Sequence, residues 1–195
     1  MKRILLTLAL GLGLLTANAQ IEKLAGPRLG LTFISAGPIA DFLHDGFDFD
    51  GDEEQYGSTG PAFTTLYGWQ WESRFADGGG QIVGIVEWIV LVGGMEKGMF
   101  LPSASSIIGA RMDNGLEFGV GPNLSLSGIG MVFGMGYNFK SGNLNLPINI
   151  SVIPGRALEG TIHHYDGDYN NHSEEKYDYN SGTRVAITLG FNMSK

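Results

Sequence analysis

The chain has no cysteine and few basic residues: of its 195 residues, 12 are Lys or Arg and 20 are Asp or Glu. Without cysteine there is no disulfide to stabilise the fold, so stability must come from packing and from backbone hydrogen bonds. The acidic balance gives a formal net charge of -8, whereas nucleic-acid-binding domains need a basic surface. We therefore expect neither a disulfide scaffold nor a nucleic-acid partner.

A hydrophobic run long enough to cross a membrane as a helix is also missing. The apolar segment near the start, residues 4–15, is 12 residues long, short of the ~20 that a membrane-spanning helix needs. It follows two basic residues and precedes Ala-Asn-Ala at 17–19, which is the pattern of a secretory signal peptide. The sequence therefore predicts a signal peptide over residues 1–19 and one exported domain over residues 20–195.

Glycine is abundant, at 31 residues, and it alternates with bulky apolar side chains. Residues 128–139 read Gly-Ile-Gly-Met-Val-Phe-Gly-Met-Gly-Tyr-Asn-Phe, so a strand there has one bulky apolar face and one nearly bare face. A soluble sandwich would bury the bulky face and cover the other with charged residues or Thr. A closed barrel in lipid has apolar residues outside and small or polar residues inside, and this pattern favours it.

Alternation and turn residues together predict eight strands, near residues 28–35, 63–75, 82–92, 105–112, 116–126, 128–139, 145–153 and 183–193. Tight glycine-bearing turns alternate with longer loops, which is typical of a barrel whose termini are periplasmic. The orientation of the third strand stays open, because it is apolar on both faces apart from Glu87. Residues 103–111 are also compatible with a short helix. The predicted fold is an all-β, eight-stranded antiparallel up-and-down β-barrel.

Four segments carry a family resemblance: residues 115–126, 128–139, 141–154 and the closing residues 183–192. Their alternating apolar and small residues resemble small Gram-negative outer-membrane β-barrel proteins, the OmpA/OmpX-like group, and a family of exported barrels of that kind. The resemblance implies a place in the cell outer membrane, contact with outer-membrane lipid and insertion by the barrel-assembly machinery.

Charged and aromatic side chains fall on opposite faces of the predicted strands. Four ionisable residues are predicted to face the lumen, with Arg111 and Glu87 as further members: Glu72, Arg74, Glu117 and Arg184. Because buried charges are costly without partners, we expect ion pairs that plug the lumen, and a proton or ion pathway is the alternative. Four aromatic residues are predicted to anchor the barrel at the membrane interface: Tyr67, Trp69, Trp71 and Trp88.

Two loops hold most of the remaining ionisable residues. In residues 41–54, four carboxylates at alternate positions are candidate calcium ligands: Asp48, Asp50, Asp52 and Glu54. The spacing of an EF-hand is only partly met, since Gly51 is at the fourth position and Thr59 at the twelfth, so a solvated acidic loop is favoured. The histidines of residues 159–178 suit zinc or copper, but a polar extracellular loop is again the favoured interpretation.

We expect no enzymatic activity. His172, Ser173 and Glu174 are residue types that a hydrolase uses, but their spacing implies no oriented triad. The leading hypothesis is an outer-membrane β-barrel with a structural or surface-interaction role and acidic extracellular loops. The alternative is a periplasmic or secreted lipocalin-like barrel that binds an apolar small molecule, and a membrane-embedded enzyme or small-solute channel is a third class.

Overall fold

The computed structural model describes residues 23–45, 60–77, 81–165 and 172–194. The strands in these residues are β1 (Lys23–Ile34), β2 (Ala62–Asp77), β3 (Ile82–Gly93), β4 (Leu101–Met112), β5 (Leu116–Ser125), β6 (Gly128–Ser141), β7 (Leu144–Ile153), β8 (Ala157–Tyr165), β9 (His172–Asn180), β10 (Arg184–Gly190) and β11 (Asn192–Ser194). The described residues also contain the helix α1 (Pro38–Asp45) and a 3-10 turn at Met95–Lys97. Neither is long and apolar enough to cross a membrane. The predicted signal peptide lies outside the described residues.

The strands close into an eight-stranded antiparallel up-and-down barrel, which confirms the predicted fold class. From β1 to β7 each strand pairs with the next, and β10 pairs with both β1 and β7. The short β11 continues the last wall strand and also pairs with β1 and β7. We call β1 to β7 and the combined β10 and β11 the wall strands. Closure leaves no exposed sheet edge among them.

The structure settles the two alternatives that the alternation left open. Glu87 points into the barrel and is buried. The side chains of β3 therefore alternate between the lumen and the outer surface, as those of the neighbouring strands do. The helix considered for residues 103–111 is wrong, because β4 pairs with β3 along its whole length, from Leu101 to Met112. Ladder hydrogen bonds on both sides of β4 outweigh the weak local preference of Ser and Ala.

The predicted last strand is interrupted. Phe191 separates β10 from β11, although its backbone N–H still donates to the carbonyl oxygen of Pro27 at 3.1 Å. The long connection between β7 and β10 contains a separate hairpin, in which β8 pairs with β9. This hairpin lies at the same end of the barrel as α1 and the 3-10 turn, while the opposite end has tight turns. The alternation of long and short connections is therefore present in the fold except between β5 and β6, which a two-residue turn joins at the α1 end.

Bulky apolar side chains point outward on every wall strand. On β6 the outward residues are all 40–64% exposed: Ile129, Met131, Phe133, Met135, Tyr137 and Phe139. The intervening residues face the lumen, where Val132 and Asn138 are buried. The prediction that the bulky face of residues 128–139 points away from the interior is confirmed.

The helix α1 covers one end of the barrel. Proline at its first position fits a helix start, because a first-turn N–H has no intrahelical partner. Ala40 and Leu43 are fully buried and pack with Ile34 and Ala62 at the ends of β1 and β2. At the other end of the helix, the Nζ of Lys97 donates to the carbonyl oxygen of Leu43 at 2.9 Å, which satisfies a free carbonyl and suits the helix dipole.

Glycines let neighbouring wall strands approach closely. A Cβ added at Gly121 of β5 would lie 1.8 Å from the carbonyl oxygen of Ser106 on β4. At Gly134 of β6, which also faces the lumen, the nearest atom is 3.9 Å away. Only some of the interior glycines are therefore required by contact with a neighbouring backbone.

We predict opposite effects of alanine at these two glycines. Gly121→Ala should lower the free energy of unfolding by about 1–3 kcal/mol, because the added methyl group overpacks against backbone. Gly134→Ala should raise it by about 0.4–1 kcal/mol through the smaller entropy of the unfolded chain. Urea unfolding followed by tryptophan fluorescence measures both, and equal effects of the two substitutions would contradict the assigned contacts.

Candidate functional site

The deepest part of the lumen contains an arginine held by two carboxylates. Arg111 donates from Nη1 and Nη2 to the two oxygens of Glu72 at 2.6 and 2.7 Å, and from Nε to Glu117 at 2.5 Å. Arg111 and Glu117 are paired across β4 and β5, whereas Glu72 reaches them from β2. The planar guanidinium fork matches the carboxylate of Glu72, which is the strongest form of such a contact.

A second arginine extends this network to the first and last wall strands. Arg28 of β1, which is 1% exposed, donates to the side-chain oxygen of Gln70 at 2.5 and 2.8 Å and to the hydroxyl of Thr188 at 2.7 Å. The amide nitrogen of Gln70 in turn donates to Glu87. We call the six residues of both halves the polar cluster: Arg28, Gln70, Glu72, Glu87, Arg111 and Glu117.

The polar cluster crosses the lumen from one wall to the other. Its members come from five consecutive wall strands, β1 to β5, and Thr188 adds a sixth. All six side chains are buried, and the paired carboxylates and guanidiniums offset the cost of removing each charge from water. A lumen of eight strands is just wide enough to be filled by side chains, and the polar cluster fills it at this level.

The predicted lumen residues separate into two groups. Glu72 and Glu117 lie in the polar cluster with Arg111 and Glu87. Arg184 lies nearer to the end covered by α1, where its Nη2 donates to Asn123 at 3.2 Å, and Arg74 lines the opposite end together with Lys140. The four predicted residues therefore lie at three levels of the lumen, with Glu72 and Glu117 joined through Arg111.

Sequence reasoning missed Arg28 and Gln70. Both could have been found from the alternation already in use, because Leu29 and Leu31 face outward and Arg28 must then face inward. On β2, Trp69 and Trp71 face outward, so Gln70 between them must also face inward. The alternation therefore indicates an inward position for both residues, but Gln70 is uncharged and Arg28 is the first residue of its predicted strand.

Two cavities flank the polar cluster. The outer cavity, between the polar cluster and α1, has a volume of about 110 Å³ and includes Ile39 of α1, Arg28 and Glu87 in its lining. The inner cavity, at the end with tight turns, has about 490 Å³ and is lined by Arg74, Arg111 and other polar residues. The polar cluster separates the two cavities.

The four predicted anchor residues lie on the outer surface of two neighbouring strands. They are 43–46% exposed: Tyr67, Trp69, Trp71 and Trp88. Trp71 and Trp88 are paired across β2 and β3, near the middle of both strands, whereas the ends of β2 carry Phe63 and Phe75. Their role as anchors at a membrane interface stays a prediction, and their central position is deeper than an anchor at a strand end.

The candidate metal ligands are placed as follows. Asp48, Asp50, Asp52 and Glu54 lie outside the described residues, so calcium binding stays a prediction. Within the described part of the chain, no group of three or more His, Asp or Glu residues is arranged to hold a metal ion. In the β8–β9 hairpin, the backbone register places His163 opposite Glu174 and His164 opposite Ser173.

A carboxylate outside the lumen ties the 3-10 turn to β2. Glu96 accepts hydrogen bonds from the backbone N–H of Thr65 at 3.1 Å and from the Thr65 hydroxyl. Slight burial raises the pKa of Glu96, but hydrogen bonds from Thr64 and Thr65 outweigh it and lower the pKa to about 2. The charged form of Glu96 therefore favours the folded state.

Comparison of the chain with family models, with curated proteins and with solved structures finds no match in any of the three. Eight-stranded barrels carry unrelated functions, so the fold by itself assigns none. A function must therefore be inferred from the surface of the barrel and from the side chains that fill its lumen.

We predict that removing Arg111 destabilises the barrel strongly. Arg111→Ala leaves Glu72 and Glu117 buried without a cation, and the free energy of unfolding should fall by about 3–5 kcal/mol. Arg156→Ala, which removes an exposed arginine, should change it by less than about 0.5 kcal/mol. Urea unfolding measures both variants.

A triple variant distinguishes the cost of orphaned charges from the loss of packing. Replacing the three ionised groups together, as Glu72→Gln, Arg111→Met and Glu117→Gln, should recover most of the lost stability, because no unpaired charge is left. If the triple variant is as unstable as Arg111→Ala, the charges of Glu72 and Glu117 are not the cause.

We also predict a pH-dependent contribution from Glu96. Because its pKa is lower in the folded state than its usual value of 4.5, its contribution to stability is present above about pH 4.5 and is lost as pH falls towards 2. Glu96→Gln should therefore lower stability at pH 7 and have no effect near pH 2. Thr65→Val should raise the pKa of Glu96, measured by NMR titration of its carboxyl carbon, and an unshifted titration would contradict the contact.

Proposed function

We propose that the protein is an integral outer-membrane β-barrel with a structural or surface-interaction role. The observation that carries the proposal is the distribution of apolar side chains between the two faces of the barrel. In the described residues, 28 large hydrophobic side chains are exposed, whereas ten hydrophobic residues are buried. Monomeric soluble proteins rarely expose contiguous apolar patches of more than a few hundred Å².

The outward face of the wall strands supports a lipid environment further. Between the first and last outward residue of each wall strand, no Asp, Glu, Lys or Arg occurs on that face; on β2 this stretch runs from Phe63 to Phe75 and on β6 from Ile129 to Phe139. A charged residue at the bilayer midplane costs about 2–4 kcal/mol in a membrane barrel. A water-facing barrel has no such restriction.

The lumen favours this proposal over the lipocalin-like alternative. A lipocalin-like protein needs an apolar interior that holds its ligand, and ligand pockets usually have volumes of about 300–1,000 Å³. Here the polar cluster occupies the middle of the lumen, and the outer cavity measures about 110 Å³. The inner cavity measures about 490 Å³, but its lining is mainly polar and includes Arg74, Arg111 and Lys140. The same cluster argues against a diffusion pore for solutes. In the proposed role the lumen is mainly structural.

The ends of the barrel indicate how it would be oriented. The helix α1, the 3-10 turn and the β8–β9 hairpin lie at one end, whereas β2–β3, β4–β5 and β6–β7 are joined by short turns at the other. In outer-membrane barrels the longer loops are extracellular and the short turns periplasmic. The acidic loop of residues 46–59 would then face the outside of the cell, where it would meet a surface partner. The barrel-assembly machinery would insert such a protein.

We predict that lipid quenches the tryptophan fluorescence. All three tryptophans of the chain are on the outer surface of β2 and β3, so brominated acyl chains should contact them directly. In vesicles of brominated phosphatidylcholine, the emission should be lower than in unbrominated vesicles. It should be lowest with bromines deep in the acyl chain, because Trp71 and Trp88 lie near the middle of their strands.

The control is Trp88→Phe, which removes one ring from the cluster and should reduce the signal without changing the fraction quenched. A protein that is monodisperse in buffer without detergent, and whose fluorescence is insensitive to brominated lipid, would contradict the proposed membrane location. Stronger quenching by bromines near the headgroups than by bromines deep in the acyl chain would indicate that the tryptophans act as interfacial anchors.

A further inference from the structure

The outer cavity has an apolar wall and a polar wall. Its apolar lining comes from β3, β4, β6 and β7 and includes Ile89, Ile107, Val132 and Ile153. Its polar lining includes Asn123 and Arg184 towards the end covered by α1, and Arg28, Glu87 and Glu117 at the polar cluster. A molecule at the covered end of this cavity would contact hydrocarbon on one side and the guanidinium of Arg184 on the other.

Arg184 has no anionic partner among the described residues. Its Nη2 donates to the side-chain oxygen of Asn123 at 3.2 Å, and its Nε is buried without a hydrogen-bond acceptor. In the described part of the lumen, the arginine that forms ion pairs with glutamate is Arg111. A second cation, Arg156, is close enough to act on Arg184 electrostatically.

The carboxylates of the polar cluster are not placed to neutralise Arg184. Glu117 is on the same strand as Asn123 but six residues away, which at about 3.3 Å per residue is a separation of roughly 20 Å along β5. Glu87 accepts a hydrogen bond from Gln70, and Arg28 acts on it electrostatically. A partly buried guanidinium that keeps unsatisfied donors is unfavourable without an anion.

We infer that the outer cavity binds a small organic monocarboxylate with an apolar body, of the class of benzoate or a short-chain fatty acid. The carboxylate accepts hydrogen bonds from Arg184, which offers the planar fork that suits this group. The apolar body lies against Ile107 and Val132. A monoanion fits better than a phosphate, because one guanidinium and one amide supply few donors and because the carboxylates of Glu87 and Glu117 line the other end of the cavity.

The volume of the cavity sets the size of the ligand. An apolar protein cavity of ~150 Å³ is known to hold a benzene molecule. At about 110 Å³, the outer cavity suits a body of that size or smaller, and it is too small for a long acyl chain in one piece. The inference concerns the lumen and does not depend on whether the outer surface contacts lipid.

The test is an NMR titration of the folded full-length barrel, labelled at the methyl groups of isoleucine and valine. Sodium benzoate should shift the methyl signals of Ile107, Val132 and Ile153 saturably, and those of the outward-facing Ile129 and Val120 much less. Benzyl alcohol, the neutral probe of the same size, should bind at least about tenfold more weakly, as expected for the loss of a hydrogen bond to a charged group.

Variants separate the role of Arg184 from general changes of charge or packing. Arg184→Gln should weaken benzoate binding at least about tenfold and leave benzyl alcohol binding within twofold. Lys140→Gln removes the same charge at the opposite end of the barrel and should leave both affinities unchanged. Val132→Phe should abolish binding of both probes by filling the cavity, whereas Val120→Phe adds the same ring outside and should not.

The inference is overturned if benzoate gives no saturable shift in the wild-type protein. It is also overturned if Arg184→Gln binds benzoate as tightly as the wild type, or if Val132→Phe still binds. Because the titration is carried out on the folded barrel in whichever medium keeps it soluble, its outcome is separate from the membrane location tested by lipid quenching.

Discussion

The pairing of the first wall strand with the last is the constraint on which the rest of the structure depends. When β10 pairs with β1, the sheet has no edge, and every wall strand can satisfy its backbone hydrogen bonds within the barrel. Closure also creates an inside, into which polar side chains can turn and find one another. The chain has no cysteine, and the buried apolar clusters of the described residues are small, so this pairing takes over much of the stabilising role that a large apolar core has in other domains.

Alternation predicted much of this arrangement because a strand obeys a period of two whatever it packs against. For β5, β6 and β7 the period is unbroken, and the faces of those strands follow directly from the order of the residues. For β4 the period is obscured by small residues, and its pairing with β3 on one side and β5 on the other decides its structure. The helix α1 was not predicted, because its short amphipathic pattern is significant only once the end of a barrel exists for it to cover.

The candidate sites show where such prediction stops. That Glu72 and Glu117 face the lumen follows from the sequence, but which cation they meet depends on the register of β2, β4 and β5 around the barrel. The isolation of Arg184 is equally a product of register, since among the described side chains it places Asn123, and no carboxylate, within reach of the guanidinium. Contacts across the lumen join residues that are far apart in the chain. A single sequence does not show which of these residues meet.

The contact between Arg28 of the polar cluster and Thr188 joins parts of the chain that are synthesised at very different times. Arg28 and Thr188 are separated by 160 residues, and their hydrogen bond exists only after both ends of the chain have been synthesised and the wall has closed. In an open sheet that lacks β10, Arg28 would lack its Thr188 partner, and the charges of the polar cluster would face whatever surrounds the sheet. If the barrel enters a membrane as proposed, entry of such a sheet before closure would be unfavourable, and insertion would be coupled to the completion of the chain.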